Sequence, residues 1–236
     1  MTHRCVIISG GNYAPVEGVQ AEDFVIACDK GYVYAEKAGV RPNLLVGDFD
    51  SYEGVLPSDL PVWRYKKEKD DTDTMIAIRY AVEQGFAQVE LFCALGGRLD
   101  HLYANLQAAA FAVANGGCRV TIHDSETMLY FLTEGSITLP RREGWSLSVF
   151  AVSDTCEDVC ITGGKYALNH AVVTNTFPIG MSNQWAADEA KISVGKGILM
   201  ARSARTKKKK PSPSGTGESF FIRQAELGQG FLLFPP

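Results

Sequence analysis

Short apolar runs alternate with amphipathic stretches over the first half of the chain. Runs at 6–9, 24–28, 44–46, 62–65, 89–94 and 119–123 predict strands, and helical patterning covers 32–38, 74–84 and 102–114. The last two stretches end at Gly85 and at Asn115-Gly116-Gly117, residues that close helices. Strand–helix alternation of this kind predicts an α/β fold with a doubly wound, mostly parallel sheet. In such sheets ligands bind beyond the carboxyl ends of the strands.

From about Thr127 the pattern changes. Short runs at 128–132, 136–139, 147–152, 158–162 and 191–194 are separated by Gly, Asn and charged turns, without strong helical periodicity. They predict a compact all-β domain. Asp124-Ser125-Glu126 marks the expected boundary, giving domains 1–125 and 126–204. Beyond these, four lysines at 207–210 lead into Pro-Ser-Pro-Ser-Gly-Thr-Gly, a composition that supports no packed core. Residues 205–236 are expected to form a flexible basic tail, with a role as a membrane or partner anchor the lesser reading.

Charge sharpens this division. The tail's six basic and two acidic residues give it +4, which leaves the body at −8 within the total of −4. An acidic body argues against nucleic acid as the main partner and suits metal ions or a cationic small molecule. No apolar run approaches the ~20 residues that span a bilayer, and the N-terminal run is too short for a signal peptide. Cys5, Cys28, Cys93 and Cys118 lie in strand-like runs. Cys156 and Cys160 form a C-x3-C spacing without a second pair or a nearby His motif. Reduced thiols of a cytoplasmic protein are expected, rather than a zinc site.

Each predicted strand of the first half is followed by a polar cluster, and the clusters are expected to converge on one edge. Ser9 leads to Gly10-Gly11-Asn12, Cys28 to Asp29-Lys30-Gly31, and Val46 to Gly47-Asp48-Phe49-Asp50-Ser51. In extended backbone Asp48 and Asp50 point the same way. Two carboxylates that close repel, and a hard cation such as Mg²⁺ removes the conflict. A second acidic cluster, Lys69-Asp70-Asp71-Thr72-Asp73-Thr74, precedes the helix at 74–84. Helix capping accounts for one or two of these acids, not three beside a lysine. The third cluster is Gly96-Gly97-Arg98-Leu99-Asp100-His101, with Asn105 on the next helix. Adjacent glycines let N–H groups approach an anion, and Arg98 can pair with phosphate oxygens. Together the clusters predict a Mg-nucleotide site.

Ala27-Cys28-Asp29-Lys30-Gly31 and the three clusters just described, in this order and spacing, resemble the bacterial thiamine pyrophosphokinases. The second half adds Thr162-Gly163-Gly164-Lys165-Tyr166-Ala167-Leu168, Gly180-Met181-Ser182-Asn183 and Val194-Gly195-Lys196-Gly197, so the similarity covers roughly 4–203. The resemblance implies transfer of the terminal pyrophosphoryl unit of ATP to the hydroxyethyl group of thiamine, giving thiamine diphosphate and AMP. It also implies an α/β catalytic domain, a C-terminal β-sandwich, and a homodimer whose sites lie between subunits. Carried over by motif, Asp48, Asp50, Asp70 and Asp73 surround Mg²⁺ and the phosphates, and Asp100 lies near the hydroxyl to be activated. Asp29, Gly31, Lys69, Thr72, Gly96, Gly97, Arg98, His101 and Asn105 fall to the nucleotide. Tyr166, Ser182 and Asn183 fall to thiamine, with Trp185 a weaker aromatic candidate. Two rival readings are a pyrophosphokinase for another alcohol, such as a pterin, and a non-catalytic thiamine or nucleotide sensor. The first would lack the motif around Ser182, and the second would not need a full set of acids.

Overall fold

In the computed structural model, residues 4–50, 52, 54–65 and 71–206 are described. The first half runs β1 (Arg4–Ile8), β2 (Phe24–Cys28), α1 (Gly31–Ala38), β3 (Leu44–Gly47), β4 (Val62–Arg64), α2 (Asp73–Glu83), β5 (Gln88–Phe92), α3 (Leu99–Gly116) and β6 (Arg119–His123). The second half is all strand: β7 (Thr127–Leu132), β8 (Gly135–Pro140), β9 (Trp145–Ala151), β10 (Thr155–Thr162), β11 (Leu168–Thr174), β12 (Glu189–Val194) and β13 (Leu199–Arg205).

One nine-stranded sheet has the order β4-β3-β2-β1-β5-β6-β7-β13-β9, and a four-stranded sheet the order β11-β10-β12-β8. Strands β4 to β6 of the large sheet pair in parallel, whereas β7, β13 and β9 join it antiparallel. The fold is therefore a doubly wound α/β assembly with an antiparallel β portion, as the chain's patterning predicts. The expected boundary at 124–126 falls on the hairpin between β6 and β7, where the Asp124 N–H donates to Thr127 O at 2.9 Å. The large sheet continues across it.

Both faces of β1, β2 and β3 are covered, so their sequences are apolar almost throughout, whereas β5 and β6 alternate. Cys5 and Ile7 of β1 face the layer of α2 and α3, where they meet Ala77, Ile78, Ala108 and Ala112. Val6 and Ile8 point the other way, onto Tyr34 and Ala35 of α1. A third core forms where Leu147, Val149, Leu199 and Ala201 of β9 and β13 pack on Val159, Ile161 and Ile192 of the four-stranded sheet. That contact is the β-sandwich.

Differences from the sequence reading have local causes. Helix α3 starts at Leu99 rather than 102 because Arg98, in extended conformation, occupies its N-cap. Strand β5 stops at Phe92 because Cys93 has φ of 54°. Strands β11 and β13 are not predicted at all. β11 is an edge strand with a single buried position, and in β13 Arg202 and Ser203 interrupt the apolar run. Strand β13 extends through Arg205, and the Thr206 N–H and hydroxyl both donate to Gly144 O at 2.7 Å. The first two residues assigned to the tail thus belong to the folded body. The rest of the tail, 207–236, lies outside the described residues.

The start of α1 sits against β1 with no room to spare. A Cβ on Gly31 would lie 2.0 Å from the Ile8 carbonyl oxygen, a backbone atom fixed in the sheet. Gly→Ala within a helix ordinarily gains about 1 kcal/mol. Here overpacking is expected to reverse the sign, so that Gly31→Ala loses about 1–3 kcal/mol in urea unfolding. A stability gain would show that the β1–α1 contact is looser than described.

Candidate active site

The carboxyl ends of β2, β3 and β5 are closed by residues in left-handed backbone: Asp29 (φ 48°), Phe49 (φ 57°) and Cys93 (φ 54°). Non-glycine residues held this way cost roughly 1–3 kcal/mol each and cluster where function demands them. Phe49 is buried, and burial of its ring anchors the turn after β3. The Asp29 N–H extends the ladder to Val46 O at 2.9 Å, and Asp29 Oδ1 accepts the Phe49 N–H at 3.2 Å. Asp48 Oδ1 accepts the Asp50 N–H at 3.0 Å. The extended geometry that would set Asp48 and Asp50 side by side therefore ends at Gly47. The turn at Phe49 breaks the alternation, and Asp50 stands exposed.

The acid brought against Asp29 comes from α2. Thr72 caps this helix by accepting the Met75 N–H at 3.1 Å. The buried hydroxyls of Thr74 and Ser9 bond at 2.7 Å, and the Cys28 thiol donates to Asp73 O at 3.6 Å. These contacts pin the first turn of α2 to the ends of β1 and β2. The Asp73 carboxyl then bonds that of Asp29. Burial above all, then Asp73, with Asp48 contributing, pushes the Asp29 carboxyl up to about 6. Asp29, Asp48 and Asp73 thus form one cluster. Asp71 pairs instead with Arg79 at 3.4 Å. Lys69 and Asp70 lie outside the described residues.

Two strands along the same edge, after β5, lies the glycine loop. The Gly11 N–H donates to Cys93 O at 2.8 Å and the Asn12 N–H to Leu95 O at 3.1 Å, so the loops after β1 and β5 are zipped together. Gly96 has φ of 77°, and a Cβ there would lie 2.2 Å from Asn12 Nδ2. Both features favour glycine at that turn. Buried Asn105 donates from Nδ2 to Ala94 O at 2.8 Å, so the structure gives its amide the task of holding the loop. Arg98 forks onto Asp100, Nε to Oδ1 at 3.1 Å and a terminal nitrogen to Oδ2 at 2.5 Å. Asp100 also accepts the His101 N–H at 2.9 Å. Hydrogen bonding to Arg98 is the main reason the Asp100 carboxyl lies below its usual range. Both side chains are exposed, as is His101.

The remaining candidates sit in the β portion. Asn183 is buried; its Oδ1 accepts the Tyr166 and Gln184 N–H groups at 3.0 and 2.9 Å, and its Nδ2 donates to Tyr166 O at 2.7 Å. It builds the turn that presents the exposed Tyr166 ring, over which Lys165 Nζ lies 5.5 Å from the centroid. Ser182 has φ of 59°, and its N–H donates to Ser148 Oγ of β9 at 3.1 Å. Trp185 is not an open aromatic face: it is buried in the sandwich core with Nε1 donating to Leu139 O at 3.1 Å. Ser182 and Asn183 adjoin β9, six strand steps from β2 in the large sheet, or ~29 Å at normal strand spacing.

Residues 17–122, which carry the cluster and the glycine loop, match the family described as thiamin pyrophosphokinase, catalytic domain. Residues 135–199, which carry Tyr166, Ser182 and Asn183, match thiamin pyrophosphokinase, vitamin B1 binding domain. The chain belongs to the thiamine pyrophosphokinase family. A thiamine pyrophosphokinase of Bacillus subtilis (strain 168) is 28% identical over 184 residues, spanning 74% of this chain and 84% of its own. The crystal structure of thiamine pyrophosphokinase from Bacillus subtilis superposes with a TM-score of 0.76 at 25% identity, over 86% of this chain and 99% of that one. That from Geobacillus thermodenitrificans gives 0.73 at 28%, over 87% and 99%. The yeast thiamin pyrophosphokinase, at 10% identity and a TM-score of 0.64 over 86% of each chain, shares the fold.

Within this member of the thiamine pyrophosphokinase family, sequence reasoning undervalued Asp29, Ser9 and Asn12. Asp29 follows β2 as Asp48 follows β3, a correspondence sufficient to place it among the acids. With a folded pKa above the unfolded value of about 4, metal-free protein is expected to lose stability as pH rises through about 6. Asp29→Asn keeps an acceptor for the Phe49 N–H and removes the charge. In EDTA it should melt higher than the parent at pH 8, by less at pH 5, and alike at pH 3. A lower melting temperature at pH 8 would contradict the repulsion.

Proposed function

We infer that this chain transfers the pyrophosphoryl group of ATP to the hydroxyl of thiamine, giving thiamine diphosphate and AMP. The observation that carries this reading is the carboxyl cluster of Asp29, Asp48 and Asp73 at the same strand edge as a glycine loop, in a chain whose two halves match the two parts of one family. The match of 135–199 to a vitamin B1 binding domain favours thiamine over a pterin alcohol.

The donor set is all oxygen, and burial and the neighbouring Asp73 raise the Asp29 carboxyl, a conflict that a cation removes, which fits Mg²⁺. Asp29, Asp48 and Asp73, joined by Asp50 and Asp70 of the same motifs, would hold it, and Mg²⁺ when bound neutralises phosphate charge. The loop at Gly96 and Gly97 offers N–H groups to phosphate, and Gly31, Lys69, Thr72 and His101 complete the nucleotide side. Arg98 exchanges Asp100 for a phosphate oxygen, which frees Asp100 to accept the thiamine hydroxyl proton. The hydroxyl oxygen bonds to the β-phosphorus as the bond to the α–β bridging oxygen breaks, and AMP leaves with that oxygen. Tyr166 offers a face to the thiazolium cation, with Ser182 beside it and Asn183 fixing the turn.

The ~29 Å along the sheet between the two sets of residues supports a homodimer in which the α/β part (1–125) of one subunit meets the β part (126–204) of the other. A cytoplasmic setting accords with six cysteines that form no disulfide, and no described helix is long and apolar enough to cross a membrane.

Incubation with Mg-ATP and thiamine should release AMP and thiamine diphosphate in equal amounts. ADP, or ligand binding without turnover, would contradict the assignment. Asp73→Asn is expected to lower kcat by ~100-fold or more, and Asp100→Asn by a factor of ~10²–10⁴. Random mixing of Asp73→Asn subunits with a Ser182 variant inactive by itself should restore about a quarter of parental activity, since half the dimers are hybrid and each has one intact site. Free subunit exchange with no recovery would rule out the shared site.

A further inference from the structure

Away from the catalytic edge, three side chains of different metal-binding type meet on the outer face of the four-stranded sheet. The carboxylate of Asp158, the thiol of Cys160 and the imidazole of His170 place their ligand atoms all within 4.8 Å of one another. The sequence alone pairs Cys160 with Cys156, and the fold separates them. Strand β10 bulges at Asp158, which has φ of 56°, and its pairing with β11 shifts register between Cys156 and Val159. A bulge reverses the alternation of faces. Cys156 therefore stays in the sandwich core, its thiol donating to Ile198 O at 3.1 Å, while Cys160 emerges beside Asp158. A second shift, between Val159 and Ile161, coincides with His170 at φ of 48° on β11. Both bulges bring their polar residue to the same spot.

The contacts there suit a cation. His170 Nδ1 and Asp158 Oδ1 are hydrogen-bonded, and the His170 backbone N–H donates to Cys160 Sγ at 3.3 Å. Gly195 leaves room for the carboxylate; a Cβ there would lie 2.9 Å from Asp158 Oδ2. His170 and Asp158 are exposed and Cys160 is half-buried, so an ion has access.

We propose that Asp158, Cys160 and His170 form a zinc site that clips β10 to β11. A thiolate, an imidazole and a carboxylate are the ligands that Zn²⁺ takes, with water filling the fourth position. Zinc ligands in a tetrahedral shell stand roughly 3.3–3.8 Å apart, so small side-chain movements close the site. The thiolate selects against the Mg²⁺ of the catalytic edge. Binding takes Cys160 as the thiolate, so its thiol proton is released. The clip lies where two register shifts interrupt the ladder of an edge strand, so the metal restores a cross-strand tie that the backbone lacks there.

The test uses the full chain, stripped of metal and then held in excess Mg²⁺ to fill the acidic cluster. Equilibrium dialysis against Zn²⁺ should load one ion per subunit and raise the melting temperature. Cys160→Ser and His170→Ala, shown folded by circular dichroism, should each weaken binding roughly 100-fold or more, since even the outer partners of a metal are worth 10–100-fold. Co²⁺ in place of Zn²⁺ should show a thiolate-to-cobalt charge-transfer band in the parent that Cys160→Ser lacks. No uptake by the parent, zinc binding that survives both substitutions, or bound cobalt without the band would each overturn the site. Neither substitution touches the catalytic edge, so the outcome is independent of the reading of thiamine and ATP.

Discussion

Two carboxyl groups, those of Asp29 and Asp73, are held against each other where β2 ends and α2 begins. Left to itself that contact is unfavourable, because burial and mutual repulsion both oppose the second negative charge. The surrounding structure enforces it. The Ser9–Thr74 hydroxyl pair, the Cys28 thiol on Asp73 O and the Thr72 cap fix the helix, and the left-handed turn at Asp29 fixes the strand. The large apolar cores on both faces of the sheet offset this local cost. In the function proposed above, the apposition is one half of a site whose other half is a cation, with the glycine loop receiving the anion that the cation accompanies.

Much of this was legible in the chain. Apolar runs and glycine stops located the six strands and three helices of the first half, and the clusters after them marked the edge. The metal side was legible only in outline. Parity within a strand paired Asp48 with Asp50, whereas the turn at Phe49 ends the strand and hands the central position to Asp29. Asn105 read as a nucleotide contact, and its amide is committed to Ala94 O. Such local hydrogen bonds depend on which loops the fold zips together, and a linear pattern does not contain that information. Strand β13 was hidden for a related reason: its place between β7 and β9 comes from pairing partners distant in sequence, and Arg202 and Ser203 weaken its own signal.

The β portion has a different logic. It extends the parallel sheet with three antiparallel strands and folds a second sheet over them, which leaves the turn at Ser182 and Asn183 at the far end from the acids. Asn183 shows how the turn is made: one buried amide bonds both sides of the Tyr166 loop. The same sheet carries its irregularities openly, with bulges in β10 and β11 that set polar groups where an unbroken ladder would alternate them away. Irregular backbone at the strand ends of the α/β part and within the edge of the β part thus serves one purpose, which is to aim side chains.

The central claim is that Asp29, Asp48 and Asp73 act together as a seat for a hard divalent cation. Electron paramagnetic resonance of Mn²⁺ reads this directly, since free ion gives the sharp signal and bound ion does not. Titrated at pH 7.5 into the parent and into Asp73→Asn, Mn²⁺ should bind the parent at least ~10-fold more tightly, in line with a metal site that has lost a charged oxygen ligand. Equal affinity in the two proteins would contradict the account.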